Sequence, residues 1–414
     1  MGERGEMPGP LGLTRREWNI VLPLSFAAFF ENYDYALLSI AAPVLSAGLG
    51  VSPSRFGVAV SIVRVAGLGA IVVVGFADRV GRRRMLLVTL AGLAVFTGLT
   101  AAAWGIVSFV VLSACSRVFL SAEGSMSNIV ISEEVEPAHR GRAVGLAGLI
   151  GQTAFGAVAV LIAVEAHLPL GWRFLYLFAL ASLLVVGLLR RRLPETTAFH
   201  VAHADERVIG GSMPHVPRRW WARTAACLVV FGTIGAFQTA AVYHAAQLAQ
   251  HTYRWTGRYT VIILASGVFT LIGFFAGGRG SDHWGRRPLL TLGVVVEALG
   301  MAALFFGGRV GYAPGWFGFV FGQAILAACW LTYVGELVPT EVRATVNSIV
   351  VAVQVAGGSV GLAMSSAFGE TPSESGRITV WIGAMSVATL VVLWRLPEAA
   401  GRDMISAYDD HRPT

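Results

Sequence analysis

From Trp18 to Trp394 the sequence is a succession of about twelve apolar runs, most of them near the roughly 20 residues an α-helix needs to cross a bilayer. Their approximate limits are 18–48, 55–76, 84–104, 107–132, 142–166, 172–190, 222–248, 259–278, 288–307, 315–336, 344–367 and 377–394. In lipid, backbone N–H and C=O groups must be satisfied within the protein, so runs of this length are expected to be helices. The fold expected is all-α: a polytopic membrane protein with about twelve transmembrane helices. Composition agrees, since 55% of the 414 residues are hydrophobic and 13% are charged, against roughly 25% charged in a soluble domain.

The net charge of +7 does not point to nucleic acid. The basic residues are all arginine and lie between the apolar runs, where they set topology. One set of alternate loops holds the clusters at 79–84, 140–142, 190–192, 207–219 and 279–287, together with Arg343 and the terminal Arg15, Arg16 and Arg402. The opposite loops hold Arg55, Arg173, Arg254, Arg258, Arg309 and Arg377. An even number of spans with this bias places both termini in the cytoplasm. No cleavable signal precedes the first run, which is expected to be retained as a span. Cys115, Cys227 and Cys329 sit singly inside apolar runs and imply neither disulfide nor zinc. His200 and His203 fall in a polar stretch and are read as solvated rather than as metal ligands.

The loops conceal a duplication. DRVGRRR at 78–84 returns as DHWGRRP 204 residues later, EVEP at 134–137 returns as ELVP after 202, and RLPE at 192–195 returns after 203. Three unrelated motifs at nearly one spacing divide the chain into two six-helix pseudo-repeats, 1–192 and 219–414, joined by a cytoplasmic linker, 193–218. Parallel repeats of this kind are a transporter architecture, with a site near the midplane between the halves.

GFADRVGRRR at 75–84, EEVEPAHRGR at 133–142, GWRFLYLF at 171–178, LPETTAF at 193–199 and ELVPTEVRAT at 336–345 resemble signatures of the major facilitator superfamily. The resemblance extends over nearly the whole chain and implies rocker-type alternating access. It also implies a conformational latch built from Gly75, Asp78, Arg79, Gly81, Arg82, Arg83, Glu134 and Arg140. The second-half counterparts are Asp282, Gly285, Arg286, Arg287, Glu336 and Arg343. Independently of the resemblance, Gly75 and Gly81 permit tight turns, and Asp78 can accept hydrogen bonds or pair with arginine. The second copy has Arg279 where the first has Gly75, which counts against a complete latch there.

Charges left inside the spans are a functional signal, because each costs at least a few kcal/mol at membrane depth. In the first half they are Glu31 and Asp34 on helix one, Arg64 on helix two, and Arg117 and Glu123 on helix four. Two arginines against three carboxylates leave one acid without a cationic partner, a candidate to bind and release a proton. Glu31 and Asp34, three apart, share a helix face and form a candidate titrating pair, with Glu123 the third candidate. Arg64 is expected to pair with Asp34 or to await an anionic substrate. Arg117 resembles the helix-four arginine of many superfamily members. Tyr33 and Tyr35 are positioned to donate hydrogen bonds near Asp34. The second half is polar with little charge: Gln238, Tyr243, His244, Gln323 and Gln354, with Glu297 on helix nine. Those glutamines and aromatics, with Tyr33, Arg64 and Arg117, are the candidate substrate contacts.

ENYDY at 31–35 resembles the first-helix pattern of metabolite:proton and aromatic-acid:proton symporters. Proton-coupled uptake of a small organic acid is what this implies, by a monomer in a bacterial plasma membrane, with the bilayer, protons and a small-molecule substrate as partners. The alternative is a drug exporter working by proton antiport. Such exporters carry a Gly-Pro pair in helix five, and the run 145–160 here has glycines but no proline. No Ser/His/Asp set, phosphate loop or dinucleotide fingerprint is present, so neither an enzyme nor a cofactor is expected.

Overall fold

The computed structural model describes residues 14–75, 82–136, 139–165, 167–190, 217–338, 340–369 and 371–398. Most of these are helical, with no strand among them. The long helices of the first half are α1 Arg15–Ser39, α2 Pro53–Gly75, α3 Arg82–Ala101, α4 Ile106–Glu134, α5 Arg140–Glu165 and α6 Arg173–Arg190. Those of the second are α7 Trp221–Gln247, α8 Gly257–Trp284, α9 Arg286–Phe306, α10 Gly308–Glu336, α11 Thr340–Phe368 and α12 Pro372–Arg395. Ten carry segments long and apolar enough to cross a membrane. The other two are α1, which carries Glu31 and Asp34, and the shorter α6.

Local chemistry explains where the helices begin and bend. α1 opens on a capping box: Glu17 N–H donates to Thr14 Oγ1 at 3.2 Å while Thr14 N–H donates to Glu17 Oε2 at 2.8 Å. α12 opens on the same device at Thr371 and Glu374. The first apolar run, expected as one span over 18–48, divides after Ser39 into α1 and a short helix, Ala42–Gly48. Pro43 lies in the first turn of that short helix, where it has no N–H to give an upstream carbonyl. α2 passes through a 3₁₀ turn at Gly67–Gly69. Along α8 the exposed Val261, Leu264, Val268, Ile272 and Phe275 recur at helical spacing, an apolar stripe suited to lipid.

The chain forms two compact units, residues 1–51 with 62–211, and 52–61 with 212–414. In the first, α1 packs on α4 and α5, and α3 on α4 and α6. In the second, α7 packs on α11, α9 on α10 and α12, and α8 on α10. The α1–α5, α3–α4 and α3–α6 pairings thus return as α7–α11, α9–α10 and α9–α12, the packing counterpart of the sequence repeat. Small residues let backbones meet: a Cβ on Gly151 of α5 would lie 3.2 Å from Ala28 O of α1. Gly145 and Gly148 face open space, so only part of that glycine series serves packing. The expected linker up to residue 216 and the first-half loop with Asp78, Arg79 and Gly81 lie outside the described residues.

Candidate functional site

Three helices bring together four charged side chains, all from residues of the first unit. Asp34 on α1 and Arg117 on α4 form an ion pair, Nη1 to Oδ2, at 3.0 Å, with side chains 16% and 9% exposed. Glu31, one turn before Asp34, is within coulombic range of both. Its carboxylate lies against α4, where a Cβ on Gly124 would come 3.0 Å from Glu31 Oε2. Arg117 in turn lies along α2, 3.4 Å from where a Cβ on Gly67 would stand. A glycine at each of these two positions lets the polar side chains share the space between helices.

Arg64 on α2 is buried and does not pair with Asp34. Its Nη2 donates to Ser39 Oγ at 2.6 Å, and its Cζ lies 4.1 Å from the centre of the Tyr35 ring. Among the described residues it forms no ion pair, and Arg64 Nε and Arg117 Nε have no hydrogen-bond partner. A hydroxyl and a ring face solvate a guanidinium without neutralising it. Arg64 is therefore a buried cation with no direct ion-pair partner among the described residues, with Asp34 in coulombic range.

Asp34 also borders a small cavity lined by Phe30, Leu93, Thr97, Ser116, Leu120 and Tyr176, among others. The tyrosines differ from expectation. The Tyr33 hydroxyl donates to Leu175 O at 2.8 Å, and Tyr35 lies beneath Arg64. Tyr176 of α6 is also in electrostatic reach of Asp34, and nothing in its own sequence context singled it out. Glu123 is placed apart from this group. It is 1% exposed, in contact with Thr89 of α3 and 3.5 Å from Ser127 Oγ.

In the second unit Gln238 Nε2 donates to Glu297 Oε2 at 2.9 Å, and Glu297 Oε1 is buried with no hydrogen-bond partner. His244 Nε2 lies 2.9 Å from Ser365 Oγ of α11. The Tyr243 hydroxyl donates to Pro53 O at 2.6 Å. Tyr243 and His244 are both buried and tie helices together. Gln323 and Gln354 are half-buried, and Gln354 packs its side chain on Gly235 of α7.

The second copy of the loop motif is assembled, with Arg279 in place of glycine. Arg286 meets Glu336 with Nε and Nη2, each at 3.3 Å, and also contacts Ser281. Glu398, from the second RLPE, accepts from Arg286 N–H at 2.8 Å and Arg287 N–H at 3.1 Å. A carboxylate thereby caps the start of α9, where unpaired N–H groups and the helix dipole favour negative charge. Gly285 turns the chain between α8 and α9 at φ 93°, a conformation glycine adopts without strain. Arg343 Nε donates to Gly335 O at 2.8 Å. In the first copy Gly75 stands in open space and Glu134 is half-buried. The side chains of Arg82, Arg83, Arg140 and Asp282 lie outside the described ones.

One cluster was not foreseen. Glu17 Oε1 accepts from Glu136 N–H at 3.2 Å, and His139 Nδ1 lies 3.0 Å from Glu17 Oε2. This fastens the start of α1 to the segment between α4 and α5. Glu17 precedes the apolar run. Burial would raise its carboxyl, but hydrogen bonds from Thr14, His139 and Glu136 hold it below the ordinary glutamate value. Glu17, Glu136 and His139 could each offer a metal ion one atom, although both Glu17 oxygens already accept N–H groups. The Thr14-x-x-Glu17 spacing was the available signal; the His139 contact is long-range and left none.

Known proteins resemble this chain in sequence and in fold. The chain is 28% identical over 362 residues to the citrate-proton symporter of Salmonella typhi, covering 78% of this chain and 80% of that protein. It is 26% identical over 322 residues to the ectoine/proline transporter ProP of Corynebacterium glutamicum, covering 67% of this chain and 62% of that one. The inward open structure of the xylose transporter XylE from E. coli superposes with a TM-score of 0.75 at 17% identity, over 96% of this chain and all of that one. That likeness speaks for the fold. The family model of the Major Facilitator Superfamily matches residues 24–362, and the chain is a multi-pass membrane protein belonging to that superfamily.

Proposed function

We propose that the chain is a secondary transporter that takes up a small organic acid together with protons, by alternating access of 1–192 against 219–414, as a monomer with both termini cytoplasmic. The observation that carries this reading is the group Glu31, Asp34, Arg64 and Arg117, in which two acids meet two guanidiniums and only Asp34 and Arg117 are paired. With both acids ionised the group is neutral. A proton on either acid leaves the group with a net positive charge and Arg64 without a direct ion-pair partner, which favours a carboxylate substrate. By linkage the bound carboxylate then favours the proton. Proton and anion binding reinforce one another, which is what symport requires.

Glu31 and Asp34 are assigned the proton, with Glu123 as a further acid on the same helix bundle. Arg64 and Arg117 are assigned the substrate carboxylate. Gln238, Gln323 and Gln354 are assigned to orienting the substrate, and Tyr33, Tyr243 and His244 to shaping the site through helix contacts. The Arg286, Glu336 and Glu398 cluster serves as the second-half part of the latch. Similarity to a citrate-proton symporter supports the substrate class. Drug export by antiport stays as the rival. The test is uptake of labelled citrate and simpler acids into proteoliposomes with an imposed pH gradient. A more acidic exterior should drive accumulation; drug extrusion in a sensitive host without acid uptake would reverse the assignment.

A further inference from the structure

The loop after α7 carries a built cluster that the transport mechanism above does not use. α7 is prolonged by a π-helical turn, Leu248–Thr252, and Tyr253 N–H and Trp255 N–H donate back to Leu248 O and Ala249 O, each at 2.9 Å. Between them Arg254 takes the left-handed conformation at φ 56°, the one non-glycine residue to do so among those described. A strained position of this sort persists only where the surroundings hold it. Here the turn brings the Tyr253 and Trp255 rings to 4.9 Å, and both pack on Tyr312 of α10, at 6.2 and 5.6 Å. Tyr312 is fully buried, and its hydroxyl donates to Ala245 O at 2.8 Å.

Two guanidiniums rest on this aromatic group. Arg258 Cζ lies 4.2 Å from the centre of the Trp255 ring, and Arg309 Cζ lies 5.5 Å from that of Tyr253. Arg254, Arg258 and Arg309 are exposed, and among the described residues none forms an ion pair. The sequence has no acidic residue from 248 to 281 or from 298 to 335, so neither chain segment supplies a local counter-charge. Stacking on a ring uses no N–H donor of a guanidinium, leaving those donors for a ligand. The cluster lies at the end of α8 opposite Arg286, on the side where arginine is otherwise sparse.

We propose that Arg254, Arg258 and Arg309 on the Tyr253, Trp255 and Tyr312 platform form a binding site for an oxyanion, a carboxylate or phosphate group. The group can come from a dissolved acid or from an anionic lipid headgroup, and both present the same oxygens to the same fork of donors. Binding here does not depend on the direction or coupling of transport.

The test uses the full-length protein in nanodiscs of neutral phosphatidylcholine. The tryptophan fluorescence component that Trp255→Phe removes is followed during titration with citrate and with inorganic phosphate at low ionic strength. The wild type is expected to saturate and to weaken as salt is added. Arg258→Gln and Arg309→Gln should each bind about tenfold more weakly, and Arg258→Lys should retain most of the affinity. In a second arm no solute is added and phosphatidylglycerol replaces part of the lipid; a Trp255 response there alone assigns the site to headgroups. The proposal is overturned by no saturable Trp255 response in either arm. It is equally overturned by unchanged affinity in an Arg258→Gln/Arg309→Gln double variant that keeps the wild-type thermal midpoint.

Discussion

Replacing Asp34 by asparagine tests the proton-coupling assignment most directly. The substitution keeps the shape of the side chain and removes the charge that faces Arg117 Nη1 at 3.0 Å. Both side chains are largely buried, and taking one partner from a buried pair costs 3–5 kcal/mol, because the remaining charge stays desolvated. Glu31 is in coulombic range of Arg117 and takes over part of that role, so the lower end, about 3 kcal/mol, is the better figure. That is a factor of more than a hundred in any equilibrium that requires the pair. The neutral amide also fixes the site in the charge state that protonation would give, so the variant can bind substrate but cannot release the proton that drives reorientation. In proteoliposomes, gradient-driven accumulation should vanish while exchange of labelled for unlabelled substrate continues without a gradient. Wild-type accumulation by a correctly inserted Asp34→Asn protein would refute the assignment. Loss of accumulation and exchange together would make the ion pair structural rather than coupling.

The remaining predictions concern single contacts. Arg64→Gln should raise the apparent Km about tenfold or more for an acidic substrate, the worth of a charge-assisted hydrogen bond, and leave neutral ligands unaffected; an equal effect on both classes would show that Arg64 acts through packing. Glu398→Ala removes the acceptor for the Arg286 and Arg287 N–H groups. Losing this cap should cost about 1–2 kcal/mol, seen as a lower thermal midpoint in purified protein, and an unchanged midpoint would remove the capping role. The Glu17 carboxyl is held below its ordinary value of 4.5, so its stabilising contribution is complete above that pH and is lost as pH falls through the lower folded value. Stability measured on acidification should show this loss in the wild type and lack it in Glu17→Gln; coincident curves would contradict the linkage.

The helices and the duplication were legible because membrane depth imposes length and loop motifs impose spacing, and both are properties of the linear chain. Partner choice was not. Asp34, three residues from Glu31 and flanked by two tyrosines, gave no sign that Tyr176 would share its cavity, because that proximity depends on how α6 packs in the first unit. Arg64 was expected either to pair with Asp34 or to await an anionic substrate, and it is Arg117, lying beside Gly67, that takes Asp34. Glu398 was visible only as part of a repeated RLPE, and its role as the cap of α9 exists only once the chain has folded back. The aromatic platform under Arg258 and Arg309 was equally hidden, since Tyr312 lies far from Tyr253 in sequence.

The two units share their scaffold and differ in their charges, and that difference bears on mechanism. The α1–α5 and α7–α11 pairings correspond, yet α1 carries two acids facing a guanidinium, whereas α7 carries Gln238 facing the lone acid Glu297. A duplicated framework does not need charge at these positions to pack, because the second unit packs without an intramembrane ion pair among its described residues. The acids and guanidiniums of the first unit are therefore not explained by folding. Under the proposed symport, a cluster that sums to zero when ionised and becomes positive on gaining one proton would make anion binding depend on protonation. Placing it in one unit alone leaves the other to contribute hydrogen bonds without altering that charge balance. On this reading a neutralising change in the first unit should uncouple transport, while Gln238→Ala should weaken substrate affinity and leave the proton-to-substrate ratio unchanged.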